Sequence, residues 1–199
     1  MNMRDRIRST NKRFLTVLKL ACIPLGAVLA IGLYCGVNLL TGNFHTTISG
    51  ELYRSAQPTA SRLAAYQKDY GIKTIVNLRG ENAGRGWYDS ETAAAQQLGI
   101  HHVDFRMSAR RELSQSEATE LVSILKDAEK PILIHCQGGA DRSGLVAALY
   151  VAAIAHGTES DAEAQISLRF NHFSVSPNPA YAMDRTFEIL EPWLGFPDS

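Results

Sequence analysis

The chain has 199 residues, 45% of them hydrophobic, and its twenty basic and twenty acidic side chains cancel to a formal net charge of zero. That composition excludes a disordered chain, and three cysteines are too few for a disulfide scaffold. The balance is uneven along the chain: residues 1–19 hold six basic side chains (Arg4, Arg6, Arg8, Lys12, Arg13, Lys19) against Asp5, a segment of +5, so the rest sums to −5. A domain of that sign argues against nucleic acid as a partner, because clustered positive charge supplies most of such affinity.

From Leu20 to Leu40 no residue in 21 positions is charged, close to the ~20 needed to cross a bilayer's hydrocarbon. The basic flank precedes the apolar run, so the positive-inside rule predicts a cytoplasmic N-terminus and an extracytoplasmic remainder at the cell membrane. A cleaved signal peptide has a shorter apolar core and a small-x-small cleavage site, and Tyr34-Cys-Gly-Val37 supplies no good one. The expected organisation is a basic segment over 1–19, an anchor over 20–40, a linker over 41–50 and a single folded domain over 51–199. Cys22 and Cys35 fall in the apolar run, which leaves Cys136 the lone thiol of that domain.

Within the domain, helical spacing predicts helices over Arg62–Tyr70, Glu91–Leu98 and Gln115–Asp127, and β-branched apolar runs predict strands over Ile72–Leu78, Ile100–Phe105 and Ile132–His135. Ser114-Gln-Ser-Glu117 reads as a capping box opening the third helix. Further helices are expected over Ser143–His156, Asp161–Phe170 and Tyr181–Leu190. Strands alternating with helices give an α/β fold with a central, mostly parallel sheet flanked by helices. In such folds ligands gather at the carboxyl ends of strands, where Cys136 falls.

The stretch Pro131-Ile-Leu-Ile-His-Cys-Gln-Gly-Gly-Ala-Asp-Arg-Ser-Gly-Leu145 joins the third strand to a helix. A backbone that leaves a strand and turns directly into a helix aims several N–H groups at one point, and the helix dipole adds roughly half a positive charge there. An electropositive cup of that kind favours a nucleophilic thiolate at Cys136. Arg142 offers a planar fork of donors that matches two phosphoryl oxygens. Ser143 stands where its hydroxyl reaches the sulfur, and His135 is read as a brace for the loop.

The His135-Cys136, five residues, Arg142-Ser143 spacing resembles the signature of the cysteine-dependent protein tyrosine phosphatases, and Gly139 fits the dual-specificity branch. The likeness extends to Tyr53-Arg-Ser-Ala-Gln-Pro58, Ile75-Val-Asn-Leu-Arg-Gly-Glu81 and Ala140-Asp-Arg-Ser-Gly144, elements similar to those of bacterial members, and so covers nearly everything after residue 50. The resemblance implies Cys136 as nucleophile, Arg142 as phosphate clamp, and the backbone of Gln137, Gly138, Gly139, Ala140 and Asp141 as the cradle of the phosphoryl oxygens. It further implies a loop aspartate some thirty residues upstream as general acid. Asp104, 32 residues before Cys136, is the first choice; Asp141 and Glu112 are the competitors.

The expected activity is hydrolysis of phosphotyrosine or a similar protein or aryl phosphate through a phosphocysteine, by a monomer acting on a phosphorylated protein or small phosphomonoester. The loop lacks lysine, which turns the expectation away from highly phosphorylated inositols. Arg106, Arg110 and Arg111 form the one basic cluster near the expected mouth. No cofactor or metal is expected: His101 and His102 point to opposite faces of a strand, a poor chelate. The alternatives are a catalytically quiet phospho-binding module and a rhodanese-like sulfurtransferase.

Overall fold

The computed structural model describes residues 23–196, so the basic segment 1–19 and the first three positions of the expected anchor lie outside the described residues. The chain divides into two units, 1–37 and 38–199. Helix α1 (Ile23–Thr41) begins in the first; at 19 residues and mean hydropathy 1.9 it is long and apolar enough to cross a membrane, by length and composition alone.

The second unit continues with β1 (His45–Ile48), β2 (Leu52–Ser55), α2 (Ala60–Tyr70), β3 (Thr74–Asn77), α3 (Gly86–Leu98), β4 (His101–Asp104), α4 (Gln115–Asp127), β5 (Ile132–His135), α5 (Asp141–Ala153), α6 (Glu159–Glu163) and α7 (Ala182–Leu194). The strands form one sheet in the order β1-β2-β5-β3-β4. β2, β5, β3 and β4 run parallel, and β1 pairs antiparallel with β2. The expected linker over 41–50 is therefore corrected: it supplies an edge strand of the sheet, and the domain begins near Asn38. Four residues with only one large apolar side chain gave no period-2 signal strong enough to see.

Because side chains alternate across a strand, each strand feeds both faces. Leu52, Val76, Ile132 and Ile134 face a core built with Leu121 and Leu125 of α4, Leu145 and Leu149 of α5, and Phe187 and Leu190 of α7. Tyr53, Ile75 and Leu133 face the other side, against Leu63 and Tyr66 of α2 and Ala94 and Ala95 of α3. Helix α5 is buried continuously from Ser143 to Ala152, which fixes the active loop's helical end in the core.

The helix expected over Asp161–Phe170 is two shorter pieces. Thr158 and Asp161 close a capping box on the five-residue α6, and a separate 3-10 turn covers Leu168–Phe170. The break frees the Gln165 carbonyl from a helical ladder, and the Arg54 guanidinium takes it at 2.7 Å. Helix α4 has the expected bounds and its capping box: Ser114 Oγ accepts from the Glu117 amide while Glu117 accepts from the Ser114 amide. Replacing Ser114 with Ala should lower the unfolding free energy by about 1 kcal/mol in urea titration, with the m-value unchanged.

Candidate active site

The parallel register aligns the carboxyl ends of three strands, with Ser55 and Asn77 both opposite His135. The loop 136–140 leaves this end of β5 and enters α5 at Asp141. Cys136 is 2% exposed, with Sγ 3.6 Å from Ser143 Oγ. Gly139 has φ +69°, and a Cβ there would stand 2.5 Å from the Ala56 amide nitrogen, so any side chain would force the loop off β2.

The orientation of the loop follows from where its carbonyls go. Gln137 O accepts from the Gln57 amide, Gly138 O from Asn43 Nδ2 at 3.0 Å, and Gly139 O and Ala140 O from Arg54 Nη2 at 3.1 and 2.9 Å. Four consecutive carbonyls are thus tied into the domain. Among the described residues, the amides of Gln137 to Arg142 donate to no protein acceptor. Peptide planes whose oxygens point inward turn their N–H groups outward, toward the cavity.

Arg54 is the centre of that arrangement and is fully buried, with Phe170 stacked 4.1 Å from its guanidinium carbon. Burial pushes its pKa down to about 9, opposed by the negative charge of Cys136 and Asp141, so it stays protonated at neutral pH.

The cavity in front of the loop, about 830 Å³, is lined by Cys136, Gln137, Gly138, Asp141 and Arg142, and further by Arg79, Arg106 and Arg110. Arg142 Nη1 donates to Leu78 O at 3.3 Å and Met107 O at 3.4 Å, which spans the loops after β3 and β4. Its Nε is buried without an acceptor, and a phosphoryl oxygen in the cup would supply one.

Behind the nucleophile, Glu91 of α3 is buried and joins several elements. His135 Nε2 and His102 Nε2 lie 3.1 and 2.9 Å from its Oε1, and Gln57 Nε2 donates to its Oε2. Gln57 in turn accepts from Arg79, whose guanidinium lies 3.5 Å over the Trp87 ring. Burial would raise the Glu91 pKa, but the hydrogen bonds from His102 and His135 outweigh it and hold it at about 2.

With this geometry in view, comparison with known proteins gives a family. A family model described as DSP-PTPase phosphatase fused to NAD+ kinase matches residues 40–182. The chain belongs to this phosphatase family. It is 30% identical over 108 residues to the dual specificity protein phosphatase TpbA of Pseudomonas aeruginosa, a match covering 52% of this chain and 44% of the relative, so it spans less than half that relative's length. The crystal structure of P. aeruginosa TpbA superposes with a TM-score of 0.60 at 24% identity, covering 78% of this chain and 92% of that one. The catalytic domain of the PP-IP phosphatase Siw14 from S. cerevisiae gives 0.57 at 19%, covering 77% and 93%. At these identities the likeness establishes the fold.

In this phosphatase domain the three expected acids have separate settings. Asp104 is not among the residues lining the cavity: its Oδ2 accepts from Tyr88 OH at 2.5 Å and its Oδ1 from Asn77 Nδ2 at 2.7 Å. Glu112 likewise lies off the cavity, paired with Arg185 Nε at 2.6 Å. Asp141 lines it. Spacing along the chain selected Asp104, but β4 ends at that residue, and the following loop brings Met107 to Arg110 to the cavity instead.

Sequence reasoning gave no role to Arg54, Glu91, His172 or Asp184. Only Arg54 carried a signal, a charged residue inside a short strand whose neighbours are all buried. Among the described residues the one acidic group close enough to share an ion is Glu159, Glu163 and Glu191, none of which lines the cavity.

Two variants probe this shell. Gly139→Ala should abolish turnover by displacing the loop, with the α-helical circular dichroism retained. Glu91 has a depressed native pKa, so its contribution is present above about pH 4.5 and is lost as pH falls toward 2. Glu91→Gln should therefore cost on the order of 3 kcal/mol at pH 7, and the gap from wild type should close in denaturant titrations between pH 4.5 and 2.

Proposed function

We propose that this protein is a phosphomonoesterase that hydrolyses phosphotyrosine or a similar protein or aryl phosphate through a phosphocysteine intermediate. The observation that carries the reading is the set of inward-tied carbonyls, which leaves a ring of amides, Arg142 and the Cys136 sulfur around one point. The Cys136 thiolate attacks phosphorus, the bond to the leaving oxygen breaks with its electron pair, and water then releases phosphate and regenerates the thiolate. The amides and Arg142 stabilise the charge that develops on the equatorial oxygens. Ser143, 3.6 Å from the sulfur, is suited to hydrogen-bond it as it departs.

An aryl phosphate fits the depth of a cup whose nucleophile is almost wholly buried. Arg79, Arg106 and Arg110 along the cavity suit a phosphorylated peptide with acidic neighbours. A related structure, a cysteine-to-serine form of P. aeruginosa TpbA, holds phosphotyrosine and superposes with a TM-score of 0.61 at 23% identity, covering 80% of this chain and 93% of that one. On this reading the chain is a monomer held at the cell membrane by residues 20–40, with its N-terminus cytoplasmic and its catalytic domain outside. The apolar helix and the +5 flank support that orientation.

A second reading, a phospho-binding module without turnover, is favoured by one observation, the engagement of Asp104 outside the cavity. Kinetics separate the two. Hydrolysis of p-nitrophenyl phosphate with a burst of phenolate, unaffected by EDTA and abolished in Cys136→Ser, supports the enzyme. Phosphotyrosine binding by both proteins with no burst in wild type identifies the binding module.

A further inference from the structure

We propose that Asp141 is the general acid and base of this site, and that His172, clamped from behind by Asp184, is the positioning residue that shares its proton. The assignment rests on the phosphatase reading above. Of the three candidate acids, only Asp141 lines the cavity that holds Cys136 and Arg142.

His172 follows the 3-10 turn Leu168–Phe170 and is fully buried. Its Nδ1 lies 2.8 Å from Asp141 Oδ1, and its Nε2 lies 2.8 Å from Asp184 Oδ2 near the start of α7. Ionised carboxylates only accept, so with both acids charged both ring nitrogens must donate, and the ring is then an imidazolium. Burial alone would push the His172 pKa down, but the hydrogen bonds to Asp141 and Asp184 outweigh it and the pKa is raised. Arg54, beneath the loop, interacts electrostatically with Asp141, and Arg142 follows it in the chain. The three groups thus share one proton beyond two carboxylates and a neutral ring. With that proton on Asp141 the ring is neutral and still donates to Asp184; with it on His172 the carboxylate is paired.

The chemistry balances across the two steps. As the Cys136 sulfur bonds to phosphorus, the leaving oxygen keeps the electron pair of the broken P–O bond and takes the proton of Asp141. The resulting carboxylate is left beside His172. In the second step water bonds to phosphorus and gives a proton to that carboxylate, while the S–P pair returns to Cys136. His172 Nδ1, 2.8 Å from Asp141 Oδ1, is the second site for that proton, so the ring holds it when the carboxyl is ionised and returns it when the carboxyl is to act as the acid.

Leaving-group and pH dependence test this. Asp141→Asn should lose about 10²- to 10³-fold in kcat/KM on phenyl phosphate, whose phenoxide needs a proton. On 2,4-dinitrophenyl phosphate, whose phenoxide leaves unaided, it should lose less than about tenfold. His172→Gln keeps a donor to Asp141 but removes the ring that holds the shared proton, so that proton should be lost at lower pH and the basic limb of the phenyl phosphate profile should move down. Asp184→Asn, at a partly exposed side chain, should move that limb in the same direction by a smaller amount and serves if His172→Gln does not fold. Equal losses on both substrates in Asp141→Asn, or a basic limb that stays in place in the folded His172 or Asp184 variant, overturn the assignment while leaving the phosphatase reading intact. A wild-type protein with no phosphatase activity, or activity unchanged in Cys136→Ser, overturns both.

Discussion

A single buried cation sets the geometry on which the catalytic loop depends. Arg54 sits inside a parallel strand, and its guanidinium reaches carbonyls 85, 86 and 111 residues further along the chain. The loop 136–140 has no regular structure of its own to orient its peptides. Two glycines at 138 and 139 make it pliable, and one planar fork of donors restricts it. Burying a charge is costly unless it is paired or well hydrogen-bonded. Here the partners are carbonyl dipoles, the face of Phe170 and the negative charge that the cup itself carries. Lysine, with a compact ammonium, could not span these positions with the same geometry.

Around this cation two carboxylate–histidine assemblies brace opposite sides of the loop. Glu91 ties His135, the residue before the nucleophile, to His102 on the neighbouring β4 and, through Gln57, to Arg79 after β3. Asp184 ties α7 through His172 to Asp141, the first residue of α5. Each assembly fixes one end of the loop to a helix that arrives from elsewhere in the chain. The difference between them is exposure: Glu91 is sealed from the cavity, whereas Asp141 opens onto it. The first arrangement holds a loop in place, and the second sets a carboxylate on the cavity wall.

The local features of this chain were legible because their causes are local. β5, the bounds of α4 and its capping box follow from runs of ten or so residues, and the thiol, glycines and arginine of the loop lie within one stretch. Arg54 with Gln165, Glu91 with His135 and Asp141 with His172 pair across 111, 44 and 31 residues, and pairing over such separations is decided by topology rather than by neighbouring residues. The same limit explains β1, whose four residues pair with β2 but carry no strong pattern, and the broken helix at 161–170, where Arg54 takes the carbonyl of Gln165. Asp104 was selected by its distance along the chain, whereas its setting, hydrogen-bonded to Tyr88 and Asn77 away from the cavity lining, is decided by where β4 ends.

The charge of the cavity shows the same separation between sequence and space. A loop without lysine suggests a ligand of low charge, but countercharge need not come from the loop that binds the phosphate. Arg79 arrives from the end of β3, and Arg106 and Arg110 arrive from the segment after β4, so the cavity sets four guanidinium groups against the carboxylate of Asp141. Burial lowers the Arg79 pKa, and the nearby charge of Arg142 lowers it further, the signature of like charges held close in a partly desolvated place. An anion seated between them relieves that repulsion, so attraction for phosphate is built from three different loops rather than one. The −5 sum of the domain is therefore silent about its mouth. Net charge governs long-range steering, whereas binding in a cavity follows the few charges that line it.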